Sequence, residues 1–264
     1  MNSENTGKVA AVTGGTGAIG KAIAYQLADL GFSVILITRD PAKSSSAVDE
    51  IIAGTSNPSV YFRIADLSRK SSIASLAASW EGPLHVLINN AAVTPVERLE
   101  TPEGIELQYA TNVLGYFWMI KYFKDILTVS SPARIINVAS YWSGGLDLSD
   151  LEFKSRPYHN HDAYRQSKQA NRMLTPVFAD ILMDSGITVN ACHPGDVNSS
   201  LSNSLGFGGS QSPSVGAKTP VWLAASETLE SITGKYFEHQ KEVTCQFASM
   251  TEESYTLYDI CSTF

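Results

Sequence analysis

Cysteine is scarce in this 264-residue chain, and its three copies, Cys192, Cys245 and Cys261, are too scattered to form a bridging framework. There is no Cys-x-x-Cys pair, so they read as packing thiols in a reducing compartment. Charge is also thin, at 17% of residues, and 19 Lys and Arg against 26 Asp and Glu leave a formal net charge of −7. That balance argues against nucleic acid or an anionic membrane as a partner, while leaving room for a local basic pocket that holds a phosphate. Long apolar runs are missing as well. The longest patch, Val113 to Ile120, falls far short of the ~20 residues of a membrane span, and the polar stretch Met1 to Lys8 has no signal core. His159, His161 and His193 follow no helical or hairpin ligand spacing, so no metal is expected. The expectation is a cytoplasmic protein with one domain spanning residues 1–264.

What the sequence does contain is rhythm. Val9-Ala-Ala-Val-Thr13, Val34-Ile-Leu-Ile-Thr38, Val60-Tyr-Phe-Arg-Ile64, Val86-Leu-Ile88, Ile135-Ile-Asn-Val138 and Ile187-Thr-Val-Asn190 read as short buried strands separated by helix-length segments. A last short strand is expected from Lys235 to Glu238. Strands that are apolar throughout and alternate with helices imply a parallel sheet covered on both faces, a doubly wound α/β domain of the Rossmann type. Such sheets bind ligands beyond the carboxyl ends of their strands.

The first such end carries Thr13-Gly14-Gly15-Thr16-Gly17-Ala18-Ile19-Gly20. Gly15-x-Gly17-x-x-Gly20 fits a dinucleotide fingerprint in its required strand–turn–helix setting, where the helix start offers free N–H groups to phosphate. A tight turn without a ligand would use the same residues. At the second strand end stand Thr38, Arg39 and Asp40. An acid there would accept from a ribose 2′-hydroxyl and an Arg would pair with a 2′-phosphate. Spacing alone leaves both open, and leaves Arg39 open as a solvated charge.

Tyr164-Arg-Gln-Ser-Lys168 places a phenol and an amine on one face of a helix. A nearby ammonium lowers a phenol's pKa, which suits proton exchange with an alcohol or carbonyl. Ser140 follows a strand directly, where its hydroxyl can bond a reacting oxygen. Taken alone, the pair would be unremarkable on a helix surface.

The order of these features resembles the short-chain dehydrogenase/reductase family. The matching motifs are Thr13-Gly14 to Gly20, Asp66-Leu67, Asn89-Asn90-Ala91-Ala92, Asn112, Ile136-Asn-Val-Ala-Ser140, Tyr164 with Lys168, and Pro194-Gly195-Asp196-Val197. Leu148 to Pro157, Gly216 to Ala224 and Thr233 to Phe237 resemble the retinol-dehydrogenase-like branch. The resemblance implies seven parallel strands and a nicotinamide cofactor. It implies Tyr164 as proton donor or acceptor, and Lys168 as the group that holds the nicotinamide ribose and lowers the Tyr pKa. Ser140 would polarise the substrate carbonyl, and Asn112 would support a water relay to Lys168. Gly14 to Gly20 would take the pyrophosphate, Asp66 and Leu67 the adenine, and Asn89 and Ala91 the strand beside the cofactor. Pro194, Gly195 and Val197 would touch the nicotinamide amide. The acid that selects NAD falls where Thr38 stands and Arg39 matches a basic position, which implies NADP(H) and leaves Asp40 a turn residue. Ala18 departs from the family's middle glycine, and Ala92 from its usual glycine.

The expected function is an NADP(H)-dependent oxidoreductase acting on a small carbonyl/alcohol substrate, with an NAD-linked alcohol dehydrogenase and a non-catalytic dinucleotide sensor as alternatives. Tyr116, Phe117 and Trp118 read either as a homodimer patch, by the same resemblance, or as a buried helix. The Ser/Gly-rich residues 198–214 are expected to be poorly ordered and to close as an apolar lid, with Tyr141 and Trp142 opposite.

Overall fold

Each apolar run named above is a strand of one sheet in the computed structural model, which describes Asn5 and Gly7–Phe264. Most of the polar stretch that opens the sequence, Met1–Glu4 and Thr6, lies outside the described residues. The strands are β1 (Val9–Thr13), β2 (Ser33–Thr38), β3 (Val60–Ile64), β4 (Val86–Asn89), β5 (Ala133–Val138), β6 (Ile187–His193) and β7 (Tyr236–Glu238). They pair in parallel in the order β3-β2-β1-β4-β5-β6-β7. A two-residue strand that the sequence did not announce, β8 (Lys241–Glu242), closes the edge as an antiparallel hairpin on β7.

The reason both faces are apolar is visible in the cores. On one face α1 (Ala18–Asp29), α2 (Pro41–Thr55) and α8 (Lys218–Ala225) bury Ile23, Leu27, Ile51 and Val221 against Val12, Leu36 and Ile88. On the other, α3 (Lys70–Ala78), α4 (Gly115–Val129) and α5 (Asn160–Ile181) close over Ala11, Ile37, Leu87 and Ile135. Two short helices, α6 (Ser200–Ser204) and α7 (Pro213–Gly216), lie between β6 and α8. A final helix, α9 (Thr251–Thr263), packs along α5. Among the described residues no helix is long and apolar enough to cross a membrane.

Helix α9 decides the fate of Tyr116-Phe117-Trp118. All three are buried within this single chain. Phe117 meets Phe178 and Tyr258 with ring centroids 5.2 Å apart in both cases, and the Tyr116 hydroxyl bonds the Val138 carbonyl at 3.3 Å. The patch reading of this triplet is therefore corrected: its apolar surface is consumed by α9 and the sheet.

The chain reverses its winding between β1 and β4, and the two strand ends are tied there by Thr13. Its fully buried hydroxyl accepts from the amides of Asn90 (2.8 Å) and Ala91 (3.1 Å) and donates to the Ile88 carbonyl (3.3 Å). The Asn90 side chain returns a bond to the Thr13 carbonyl at 2.9 Å. Thr13→Val keeps the shape and orphans two amides. The variant should lose about 2–4 kcal/mol in urea unfolding with an unchanged m-value. A loss below about 0.5 kcal/mol would mean that water replaces the hydroxyl.

Candidate active site

Beyond β1 the chain turns through Gly14 at φ +65°, where a Cβ would press to 2.9 Å from the Ala91 Cα. A Cβ on Gly20 would collide with the Gly14 carbonyl, so the turn and α1 fit only as glycines. Gly15 packs behind the turn on Leu36 rather than facing outward. Gly17 caps α1 without any side-chain acceptor, which leaves the positive helix start open to a cleft of about 300 Å³ lined by Thr16, Gly17, Ala18 and Ile19. Ala18 occupies the first helical position and is accommodated there.

The far end of this cleft is basic. Thr38 is buried and its hydroxyl is paired with Ser44. One oxygen of the Asp40 carboxylate caps α2, accepting from the amides of Ala42 (3.0 Å) and Lys43 (3.1 Å), and the other lies 3.8 Å from the Lys43 ammonium. Arg39 stands exposed at the rim, and Lys43, one turn into α2, lines the same cleft. Across from them Asp66 accepts from the Ser68 amide and hydroxyl, and Leu67 and Ala91 complete the wall. The Thr111 hydroxyl in that wall is shut in without a partner. An open helix start, a glycine cradle and two cations at one end fit a dinucleotide that ends in a phosphate.

A second cavity, of about 280 Å³, adjoins the first; Ile19, Ser199 and Leu201 line both. It gathers Ser140 from the end of β5, Tyr164 from the first turns of α5, and Pro194, Gly195 and Val197 from beyond β6. Tyr164 and Ser140 share this cavity, and the Ser140 hydroxyl accepts from the Trp142 amide at 3.1 Å. Burial pushes the Tyr164 pKa up to about 12, against the opposing pull of Ser140.

Lys168 lies one turn further on, behind the cavity wall. Its ammonium donates to the Val138 carbonyl at 2.8 Å and sits 5.3 Å over the ring of Tyr116 and 5.7 Å over that of Tyr164. Burial lowers its own pKa to about 7. Dehydration of the phenol dominates, and the amine is engaged by a backbone carbonyl. Asn112 sits in a π-helical turn (Tyr109–Leu114) and clamps the backbone of Val93, accepting at 2.8 Å and donating at 3.0 Å. It also donates to Ser167 at 3.3 Å, so it braces the cleft wall and α5 instead of touching Lys168 directly. Asn89 is fully buried and donates to Asn137 at 3.0 Å; Asn90 is the residue of that motif which lines the cleft.

Residues 198–214 hold more structure than their composition suggests. Ser199 forms a reciprocal cap with Ser202 on α6, and Ser212 caps α7. The serines that read as chain entropy act as helix caps. Leu205 is buried, and Phe207 sets its ring edge-on to Trp142 at 4.5 Å, with His161 at 5.7 Å. Sequence reasoning missed Lys43, Asn90, Thr13, Thr111 and His193 as site residues. Thr13 and Asn90 stood inside the quoted motifs without a role of their own, and Lys43 had its own signal, standing four residues after Arg39 on an Asp-capped helix.

Comparison with known proteins agrees with this geometry. The model of the short chain dehydrogenase family matches residues 8–206. Human retinol dehydrogenase 13 is 36% identical over 256 residues, covering 89% of this chain and 77% of its own length. A probable oxidoreductase of Streptomyces antibioticus is also 36% identical, covering 90% of this chain and 86% of its own. Among solved structures, an uncharacterised protein of Mycobacterium paratuberculosis superposes with a TM-score of 0.82 at 26% identity, over 98% of this chain and 94% of that one. The RhlG/NADP active-site complex of Pseudomonas aeruginosa gives 0.71 at 25% identity, over 89% and 95%.

The buried amine has a measurable signature. With its folded-state pKa near 7 and an ordinary value of 10.5 when unfolded, the unfolded chain binds one more proton between those limits. Stability from this group therefore rises with pH across that window, by up to about 1.4 kcal/mol per pH unit. Lys168→Met removes the slope. The stability of the unmodified chain should gain on that of the variant from pH 7.5 to pH 9.5, roughly the middle of the window. Parallel stability–pH curves would refute the assignment.

Proposed function

The chain belongs to the short-chain dehydrogenase family, and from that premise we propose that it is an NADP(H)-dependent reductase of small, largely apolar ketones or aldehydes. What supports this reading is that Tyr164 and Ser140 line one cavity that adjoins the dinucleotide cleft, with Ile19, Ser199 and Leu201 shared between the two. The phenol would give its proton to the oxygen of a carbonyl being reduced.

The glycine turn and the start of α1 would hold the pyrophosphate, Asp66 and Leu67 the adenine side, and Arg39 with Lys43 the 2′-phosphate. When bound, the nicotinamide supplies a hydride to the carbonyl carbon. Ser140 bonds the carbonyl oxygen, and Tyr164 passes its phenolic proton to that oxygen as the alcohol forms. Lys168 lies close enough to steady the phenolate left behind. Trp142, Leu205 and Phe207 give the cavity its apolar character, and the 198–214 segment serves as a lid that keeps water from the proton transfer. Cytoplasmic residence is supported by the three free thiols.

The alternatives each lack a feature. An NAD-linked enzyme needs a carboxylate to take the ribose hydroxyl, whereas Thr38 is bonded to Ser44 and Asp40 to α2. A non-catalytic sensor has no use for Ser140 and Tyr164 gathered in one cavity beside the cleft.

Tyr164→Phe should lower kcat by roughly 10²–10⁴-fold while fluorescence titration shows that NADPH still binds. Near-normal kcat would remove Tyr164 as the proton donor. For the cofactor, Arg39→Ala with Lys43→Ala should raise the KM for NADPH by roughly 10–150-fold and leave that for NADH within about threefold. Thr38→Asp with Arg39→Ala should reverse the preference. Equal kcat/KM for the two cofactors in the unmodified chain would overturn the NADP(H) reading.

A further inference from the structure

Strand β6 runs three residues further than its apolar pattern suggests and ends on His193. The register places this residue with care. Val138 pairs with Cys192, and the Ala139 amide donates to the Cys192 carbonyl at 2.8 Å. His193 therefore stands beside Ala139, one residue from Ser140, on a neighbouring strand about 4.8 Å away.

The imidazole lines the same cavity as Ser140 and Tyr164, yet it is only 7% exposed. Tyr141 holds it edge-on, with centroids 4.6 Å apart and planes at 82°. Its Nδ1 is shut in without a partner. Among the described residues no hydrogen bond engages Nε2 either, and that nitrogen is not shut in, so its outlet is the cavity. Burial lowers its pKa to about 4, which keeps the ring neutral and able to donate or accept. Nδ1 stays enclosed, so it is the cavity-facing Nε2 that can meet a ligand.

We infer that His193 binds a second oxygen of the substrate, and that the preferred substrates are carbonyl compounds bearing a hydroxyl or another carbonyl on a nearby carbon. The inference rests on Ser140 and Tyr164 receiving the reacting oxygen, as proposed above. The Ser140–Tyr164 pair and the imidazole line one cavity of about 280 Å³, so one small molecule that carries two oxygens on nearby carbons can reach both. The hydrocarbon remainder has Leu205, Phe207 and the ring face of Trp142 to pack on. A substrate with a single oxygen leaves His193 unbonded, and a site built to bond a group discriminates against analogues that lack it.

Acetylbenzoyl, a vicinal diketone, and phenylacetone share one skeleton and differ by one oxygen. Their kcat/KM ratio is measured with NADPH for the unmodified chain, His193→Leu and His193→Gln. The greater intrinsic reactivity of the diketone is common to all three proteins and cancels. The ratio should fall by about tenfold or more in the Leu variant and stay within about threefold in the Gln variant, which still offers a hydrogen-bonding group. His193→Phe replaces the Leu variant if the latter does not fold. An unchanged ratio in the apolar variant, or an equal fall in the Gln variant, overturns the inference. If no protein reduces either ketone, the reductase reading fails, and the calorimetric Kd of acetylbenzoyl for each NADPH-loaded protein decides. Weakening confined to the apolar variant upholds the role of His193, and equal Kd values reject it.

Discussion

A parallel sheet that reverses its winding leaves a crevice at the point of reversal, and the first cleft of this chain is arranged around it. The ends of β1 and β4 would splay there without a cross-tie, because the loops leaving them go to opposite faces. Thr13 supplies the tie with one hydroxyl that serves three backbone groups. The glycine turn rests against Ala91, and Ala91 is held by Thr13, so the shape of the nucleotide cleft descends from that single buried oxygen. The second cavity repeats the principle one strand further on. There, Ser140 and His193 are set by the β5–β6 ladder rather than by loop packing.

Dehydration rather than ion pairing sets the chemistry of the inner groups. Tyr164, Lys168 and His193 are all displaced toward their neutral forms, and burial is the leading cause for each. The result is a neutral phenol, a weakly basic amine and a neutral imidazole within one wall. Such a wall gives and receives hydrogen bonds without holding a counter-ion, which suits an uncharged carbonyl better than a carboxylate. The cations lie further out, at Arg39 and Lys43 on the rim of the first cleft.

The sequence told a great deal where periodicity or spacing carried the signal. Seven apolar runs became seven parallel strands, and the glycine turn, Tyr164 and Ser140 landed on the cavities that motif logic required. It failed where a side chain has several possible partners. Asp40 reads equally as a ribose acceptor or a cap, and only the fold shows it bonded to α2. Lys168 was read from its distance to Tyr164 along a helix, but the competitor, the Val138 carbonyl, arrives from a strand thirty residues away. His193 was weighed only as a metal ligand, because its exposure and its neighbour Tyr141 are tertiary facts. The serines of 198–214 misled through composition, since capping depends on position rather than abundance.

The gap between β1 and β4 also bears on how much of this protein a cell retains. A nucleotide lying along the cleft touches both halves of the sheet, and the unfolded chain has no such surface to offer. Binding of that kind adds about 2.7 kcal/mol to folding when the free nucleotide stands at a hundred times its Kd. Proteolysis draws on the open form, so a fall in the nucleotide pool becomes a fall in protein lifetime before it becomes a loss of turnover. The metabolic state of the cell is thereby written into the abundance of the chain through its cleft.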